Sequence, residues 1–153
     1  MYGLPETAQG VAMPTASTDT DALRVLVVDD SAPLRERVCV ALAQAGLTVV
    51  GEACDGAHAL VQAAAQRPDV ILMDVSMPGM DGIQATRTLL HRLPETRVVL
   101  WSGDSDDQLA DAVWHSGAHA GLAKGTRTSE LIATLRRVCG TRPRTSWDAA
   151  TAT

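Results

Sequence analysis

Between residues 23 and 140, short apolar runs alternate with helix-length amphipathic segments, and this alternation most constrains what the chain can fold into. Residues 25–28 (V-L-V-V) form the first apolar run. A helical pattern follows, opened by Ser31 and Pro33, with Leu34, Val38, Ala41, Leu42 and Ala45 on one face and Gly46 as its stop. Residues 47–53 predict a second strand, whose Thr48 and Glu52 suit a sheet edge. A helix over 57–66 ends before Pro68. Residues 70–73 (V-I-L-M) are apolar at every position, as a strand buried on both faces requires. A Pro/Gly/Asp loop leads to a helix carrying Ile83, Leu89 and Leu90, then to a strand over 97–101. The next helix spans 106–116, with Leu109, Val113 and Trp114 facing inward. A weak fifth strand spans 119–123, and the last helix buries Leu131, Ile132, Leu135 and Val138. Five β-α units predict an α/β fold with a parallel, doubly wound sheet and helices on both faces. A closed barrel would need eight such units.

The flanks differ. Residues 1–22 carry Gly, Pro, Ser and Thr without apolar periodicity and predict a flexible leader, and 141–153 predict a short tail. A net charge of −5 argues against a broad nucleic-acid-binding surface, which needs clustered Lys and Arg. No apolar run is long enough for a membrane span and no signal peptide opens the chain, so cytoplasm is the expected location. Cys39, Cys54 and Cys139 form no C-x-x-C pair and read as reduced, small apolar side chains. His58, His91, His115 and His119 have no companion ligands and read as surface residues.

In open α/β sheets the site lies beyond the carboxyl ends of the strands. Here those ends are Asp29 and Asp30 after the first strand, Asp74 after the third, Ser102 after the fourth and Lys124 after the fifth. Singly, each has a plain reading: a helix cap, a turn residue or a surface charge. Together they call for a cation, because three adjacent carboxylates repel unless one is protonated or a positive charge joins them. An oxygen-only cluster suits Mg²⁺, and a hydroxyl and an ammonium beside it suit a phosphoryl group. An ionised carboxylate needs no general base, which points to an aspartate as phosphoryl acceptor. Lys124 is the only lysine, against twelve arginines. A compact ammonium is wanted there, and arginine's planar fork would substitute poorly.

The segments V-L-V-V-D-D (25–30), I-L-M-D-V-S-M-P-G-M-D-G (71–82), the Ser102-Gly103 pair and G-L-A-K (121–124) resemble the receiver domain of bacterial two-component response regulators. The resemblance covers about residues 23–140 and implies a flavodoxin-like doubly wound five-stranded parallel sheet, order 2-1-3-4-5, with five helices. It implies that Asp74 is the phosphoacceptor, served by a histidine kinase or phosphotransfer protein. Asp30, Asp74 and the backbone carbonyl of Ser76 would hold Mg²⁺, with Asp29 acting mainly through water. Ser102 would bond a phosphoryl oxygen, and Lys124 would pair first with Asp74 and then with the phosphoryl group. Pro78 and Gly79 would shape the loop beside the acceptor, and Gly82 would give the next helix a tight start. Ser76 and Asp104 stand where the family tunes the lifetime of the phosphorylated state.

Two positions depart from the pattern. Three residues before the lysine, where the family usually carries a switch Tyr or Phe, stands Gly121. Lys124 is followed by Gly125 rather than Pro, so no cis bond is expected there. Trp101 and Trp114 are the candidate replacements for the missing ring, although strand and helix spacing read both as core residues. On the alternative in which one of them does replace it, Trp114 would move with the fourth helix on phosphorylation.

Only 13 residues follow Gly140, too few for a helix-turn-helix domain, so a stand-alone receiver signalling through a downstream protein target is expected, without direct DNA or membrane binding. The surface of the fourth helix, fifth strand and fifth helix is the contact site the resemblance implies, and it is compatible with a homodimer. The wording P-G-M-D-G-I-Q-A-T-R is similar to receivers that precede a LuxR-type DNA-binding domain, so a receiver that has lost or been cut from such a domain is an alternative. A phosphate-independent interaction module is another. An enzyme acting on other molecules is not expected, since Ser76 stands where an aspartyl-phosphate phosphatase needs a general acid.

Overall fold

The computed structural model describes residues 22–140, so the leader and tail expected at 1–22 and 141–153 lie outside the described residues, Ala22 apart. The strands are β1 (Arg24–Val28), β2 (Thr48–Ala53), β3 (Val70–Asp74), β4 (Arg97–Ser102) and β5 (Ala120–Ala123). The helices between and after them are α1 (Ala32–Gln44), α2 (Gly56–Gln66), α3 (Gly82–Arg92), α4 (Asp106–Ser116) and α5 (Thr128–Cys139). The strands pair in parallel in the order β2-β1-β3-β4-β5. The polar second strand therefore is an edge, and β3, buried at all five positions, is central.

Strand alternation divides the core in two. Leu26, Val28, Ile71, Met73, Val98 and Leu100 pack against α2, α3 and α4 through Ala59, Ala63, Ala85, Leu89, Leu109 and Ala112. Val25, Val27, Val70, Leu72, Val99, Trp101 and Leu122 pack on the opposite face against Val38 and Leu42 of α1 and Leu131 and Leu135 of α5. Alanines on α2 and α3 let those helices lie close to the sheet, where the chain has no phenylalanine to fill a wider gap.

Local chemistry sets the helix ends. Ser31, Asp55, Asp81 and Ser105 cap α1 to α4 by accepting from backbone N–H groups of the first turn, and Ser105 with Gln108 completes a capping box. Leu47 belongs to the helix end rather than to β2, because its N–H donates to Leu42 O and closes the last turn of α1. Every described peptide is trans, Lys124–Gly125 included.

Two expectations need correction. Trp114 does not face inward: it is 82% exposed, because α4 turns Leu109 and Ala112 to the sheet and the indole falls on the solvent side. Cys54 is not packed as an apolar side chain. It is exposed at the end of β2, with its Sγ 3.8 Å from His58 Nδ1.

Candidate functional site

Four strands bring the polar residues to one rim, and the backbone ladder extends a rung beyond them. Asp29 N donates to Ala53 O, Val75 N to Trp101 O and Lys124 N to Ser102 O. Asp29 continues the Val25–Val27 face, Asp74 the Val70–Leu72 face and Lys124 the face of Leu122, so three charged side chains emerge on the α1/α5 side. Ser102 has the other parity. Its Oγ accepts from Asp104 N at 2.9 Å, and Asp104 itself is exposed.

Carboxylate oxygens of Asp29, Asp30 and Asp74 lie within 4.8 Å of one another. Asp29 and Asp74 are buried and Asp30 is exposed, so the cluster opens to solvent on one side. Lys124 Nζ bridges the buried pair, 3.1 Å from Asp29 Oδ2 and 3.2 Å from Asp74 Oδ1. Ser31 N donates to Asp29 Oδ1 and Ser76 N to Asp74 Oδ1. Asp74 Oδ2 is left buried with no hydrogen-bond partner.

The electrostatics follow from this geometry. Burial, reinforced by the neighbouring Asp29 charge and opposed by Lys124 and Ser76 N, pushes the Asp74 carboxyl up to about 6. Burial alone would lower Lys124, but Asp29 and Asp74 outweigh it, so its ammonium is held above the usual lysine range. The result is one cation shared between two buried carboxylates, with an unpartnered acceptor beside it.

The loop from β3 to α3 folds back over the acceptor. Gly82 N donates to Val75 O, and a Cβ on Gly82 would stand 2.1 Å from Asp74 O. Only glycine permits that approach. At Gly121 the constraint comes from α4: a Cβ would meet Val113 Cγ2 at 2.8 Å and Leu109 Cδ1 at 3.0 Å. Side chains of α4 thus stand where a switch ring would need room.

Two further residues take part: Arg35, to which the sequence assigns no role, and Trp101, there only a candidate for the missing ring. Arg35 of α1 donates through Nη1 to Asp29 O at 2.5 Å and pairs through Nε with Glu52 at 2.9 Å, tying the acidic loop to the sheet edge. Nothing in its spacing signals this. Trp101 is buried as expected, but its ring centroid is 5.7 Å from Lys124 Nζ. Nothing in the sequence signals this contact, because it follows from the register of Trp101 with Asp74 on one side and Leu122 on the other, set by pairing between distant segments.

An acidic cluster at the carboxyl rim of a 2-1-3-4-5 sheet, bridged by a lysine from just past the last strand, is the arrangement that the resemblance to receiver domains implies. The family model of the response regulator receiver domain matches residues 25–136, and the protein belongs to that family. It is 39% identical over 117 residues to the response regulator GacA of Pseudomonas viridiflava, covering 76% of this chain and 55% of the relative. It is 34% identical over 123 residues to the transcriptional regulatory protein LiaR of Bacillus subtilis (strain 168), covering 80% of this chain and 58% of that one. The solved structure of chemotaxis protein CheY4 from Vibrio cholerae superposes with a TM-score of 0.70 at 31% identity, over 76% of this chain and 98% of that one. The chain spans about half the length of the curated relatives it matches.

Proposed function

We propose that the domain is a phosphorylation switch in which Asp74 accepts a phosphoryl group from the phosphohistidine of a kinase or phosphotransfer protein. A carboxylate oxygen of Asp74 attacks phosphorus, the new O–P bond forms as the P–N bond breaks, and the imidazole leaves. The observation that carries this reading is the Lys124 bridge between buried Asp29 and Asp74, with Asp74 Oδ2 left unpartnered. Buried polar atoms are rarely orphaned, so this oxygen is poised for an electrophile or a cation.

The hard oxygen set fits Mg²⁺. Asp30, Asp74 and the Ser76 carbonyl would hold it, with Asp29 behind a water. The ion would neutralise the developing charge on the phosphoryl oxygens. Lys124 supports the same end from the protein side: its ammonium leaves Asp74 for a phosphoryl oxygen, and Asp29 keeps it anchored meanwhile. Ser102 adds a bond by donating its O–H to a phosphoryl oxygen, since its Oγ acts only as acceptor towards Asp104 N. Ser76 and Asp104 border the phosphoryl group and set how readily water reaches it.

The domain acts in the cytoplasm, and among the described residues no helix is long and apolar enough to cross a membrane. Its catalysis is confined to its own phosphorylation and dephosphorylation. Output passes through a partner protein or through segments outside residues 23–140.

Incubation with Mg²⁺ and acetyl phosphate tests the reading by intact-mass measurement. Wild type gains one phosphoryl group and Asp74→Ala gains none. A second reading, a phosphate-independent interaction module, draws on the filled space at Gly121. A wild type that stays unmodified would select it.

A further inference from the structure

We infer that Trp101 is the positioning residue for Lys124, holding the ammonium between Asp29 and Asp74 and carrying its displacement into the core beneath α1 and α5. The inference rests on the phosphorylation reading of Asp74 and deepens it. Lys124 Nζ lies 5.7 Å from the Trp101 ring centroid, within the range where a ring face attracts a cation. Among the described residues, the ion pairs of that ammonium are with the two carboxylates it bridges. The indole thus completes the set of groups that fix where the only lysine of the chain can stand.

The choice of side chain points the same way. Trp101 is 5% exposed, and its Nε1–H is buried with no hydrogen-bond partner. Burying an unpaired N–H is unfavourable, and an aliphatic residue would fill a core position without it. What an indole adds is the strongest cation-attracting face among the natural side chains.

The position also suits transmission. Asp74, Trp101 and Leu122 are consecutive register partners across β3, β4 and β5, and Val75 N bonds the Trp101 carbonyl. The ring packs in the cluster that contains Leu131 and Leu135 of α5. On the other face, Leu109 and Val113 already crowd Gly121, so an inward-turning ring has no place there. A shift of Lys124 from Asp74 to a phosphoryl oxygen therefore moves its contact with the indole, and the α5 side feels it.

The experiment uses the full chain with Trp114→Phe and Trp147→Phe, leaving Trp101 as the only tryptophan, and lysine labelled with ¹³C at Cε, which gives one NMR signal. Before any phosphodonor is added, the Lys124 Cε protons should be shifted upfield by the ring, and Trp101→Leu should return them to ordinary lysine positions. A signal that Trp101→Leu leaves unmoved overturns the inference. Ring-fluorinated tryptophan then keeps the shape but weakens the ring face. Phosphorylation by acetyl phosphate at saturating Mg²⁺ should slow roughly threefold to tenfold at an unchanged melting temperature. Trp101→Phe should fall between wild type and Trp101→Leu. An unchanged rate, or a rate that falls only in step with the melting temperature, marks Trp101 as packing alone. A wild type that gains no phosphoryl group overturns the proposed function instead, and the lysine signal still decides the contact.

Discussion

A methyl group on Gly121 would stand 2.8 Å from Val113 Cγ2, so any larger residue at this position obliges side chains of α4 to shift. Val113 is β-branched and stiff, and Leu109 presses on the same point at 3.0 Å. Overpacking of this kind costs about 1–3 kcal/mol, more than the roughly 0.5–1 kcal/mol gained by replacing a strand glycine. Gly121→Ala should therefore destabilise the domain by about 1 kcal/mol in urea unfolding. Leu109→Ala opens space beside it, so the double variant should be less destabilised than the sum of the two singles. Strict additivity would show that the two side chains do not compete for the same space.

Gly82 faces a harder obstacle, because the atom its Cβ would meet is the Asp74 carbonyl at 2.1 Å, backbone rather than a side-chain tip. Neither partner can swing away without moving β3 or the start of α3. Gly82→Ala is expected to cost on the order of 3 kcal/mol and to slow phosphorylation along with it. Thermal melts and acetyl phosphate labelling check both effects, and a near-native melt would show that the loop has slack.

The buried carboxyl of Asp74 makes stability depend on pH in a defined direction. Its folded value of about 6 exceeds the ordinary 3.8 of the unfolded chain. Below about pH 4 both states hold the proton and the contribution is fully present. As pH rises towards 6 and through it, the unfolded chain has already ionised while the folded one resists, and the contribution is lost. The total is about 3 kcal/mol at most. In EDTA, wild type should lose this much relative to Asp74→Asn between pH 4 and pH 7. Parallel curves for the two proteins would contradict the buried-acid assignment.

A divalent cation should reverse that loss. Mg²⁺ in 100-fold excess over its dissociation constant would stabilise the folded state by about 2.7 kcal/mol, and EDTA should remove the gain. Asp30 is exposed and bears little on packing, so Asp30→Asn should melt like wild type in EDTA yet gain little from Mg²⁺. Differential scanning fluorimetry with and without the metal reads both arms. An undiminished Mg²⁺ shift in Asp30→Asn would remove that residue from the proposed ligand set.

The chain's local chemistry alone carried the element order, the central placement of residues 70–73 and the rim residues Asp29, Asp30, Asp74, Ser102 and Lys124. Those features are legible because apolar runs and strand ends are properties of neighbours in sequence. Trp114 was misread because helical spacing identifies a stripe but leaves its width open, and α4 buries only a narrow one. Arg35 was not legible at all, since its partners lie on the β1–α1 loop and on β2.

Tertiary structure alone decided which side chains share a face and which meet. Register across three strands put Trp101 between Asp74 and Leu122 and beneath Lys124, and parity turned Ser102 away towards Asp104 N. Packing of α4 on β5 made Gly121 a requirement of space rather than a mere missing ring. Such distances arise from pairing between segments far apart in the chain, where a shift of one residue would send every side chain to the opposite face.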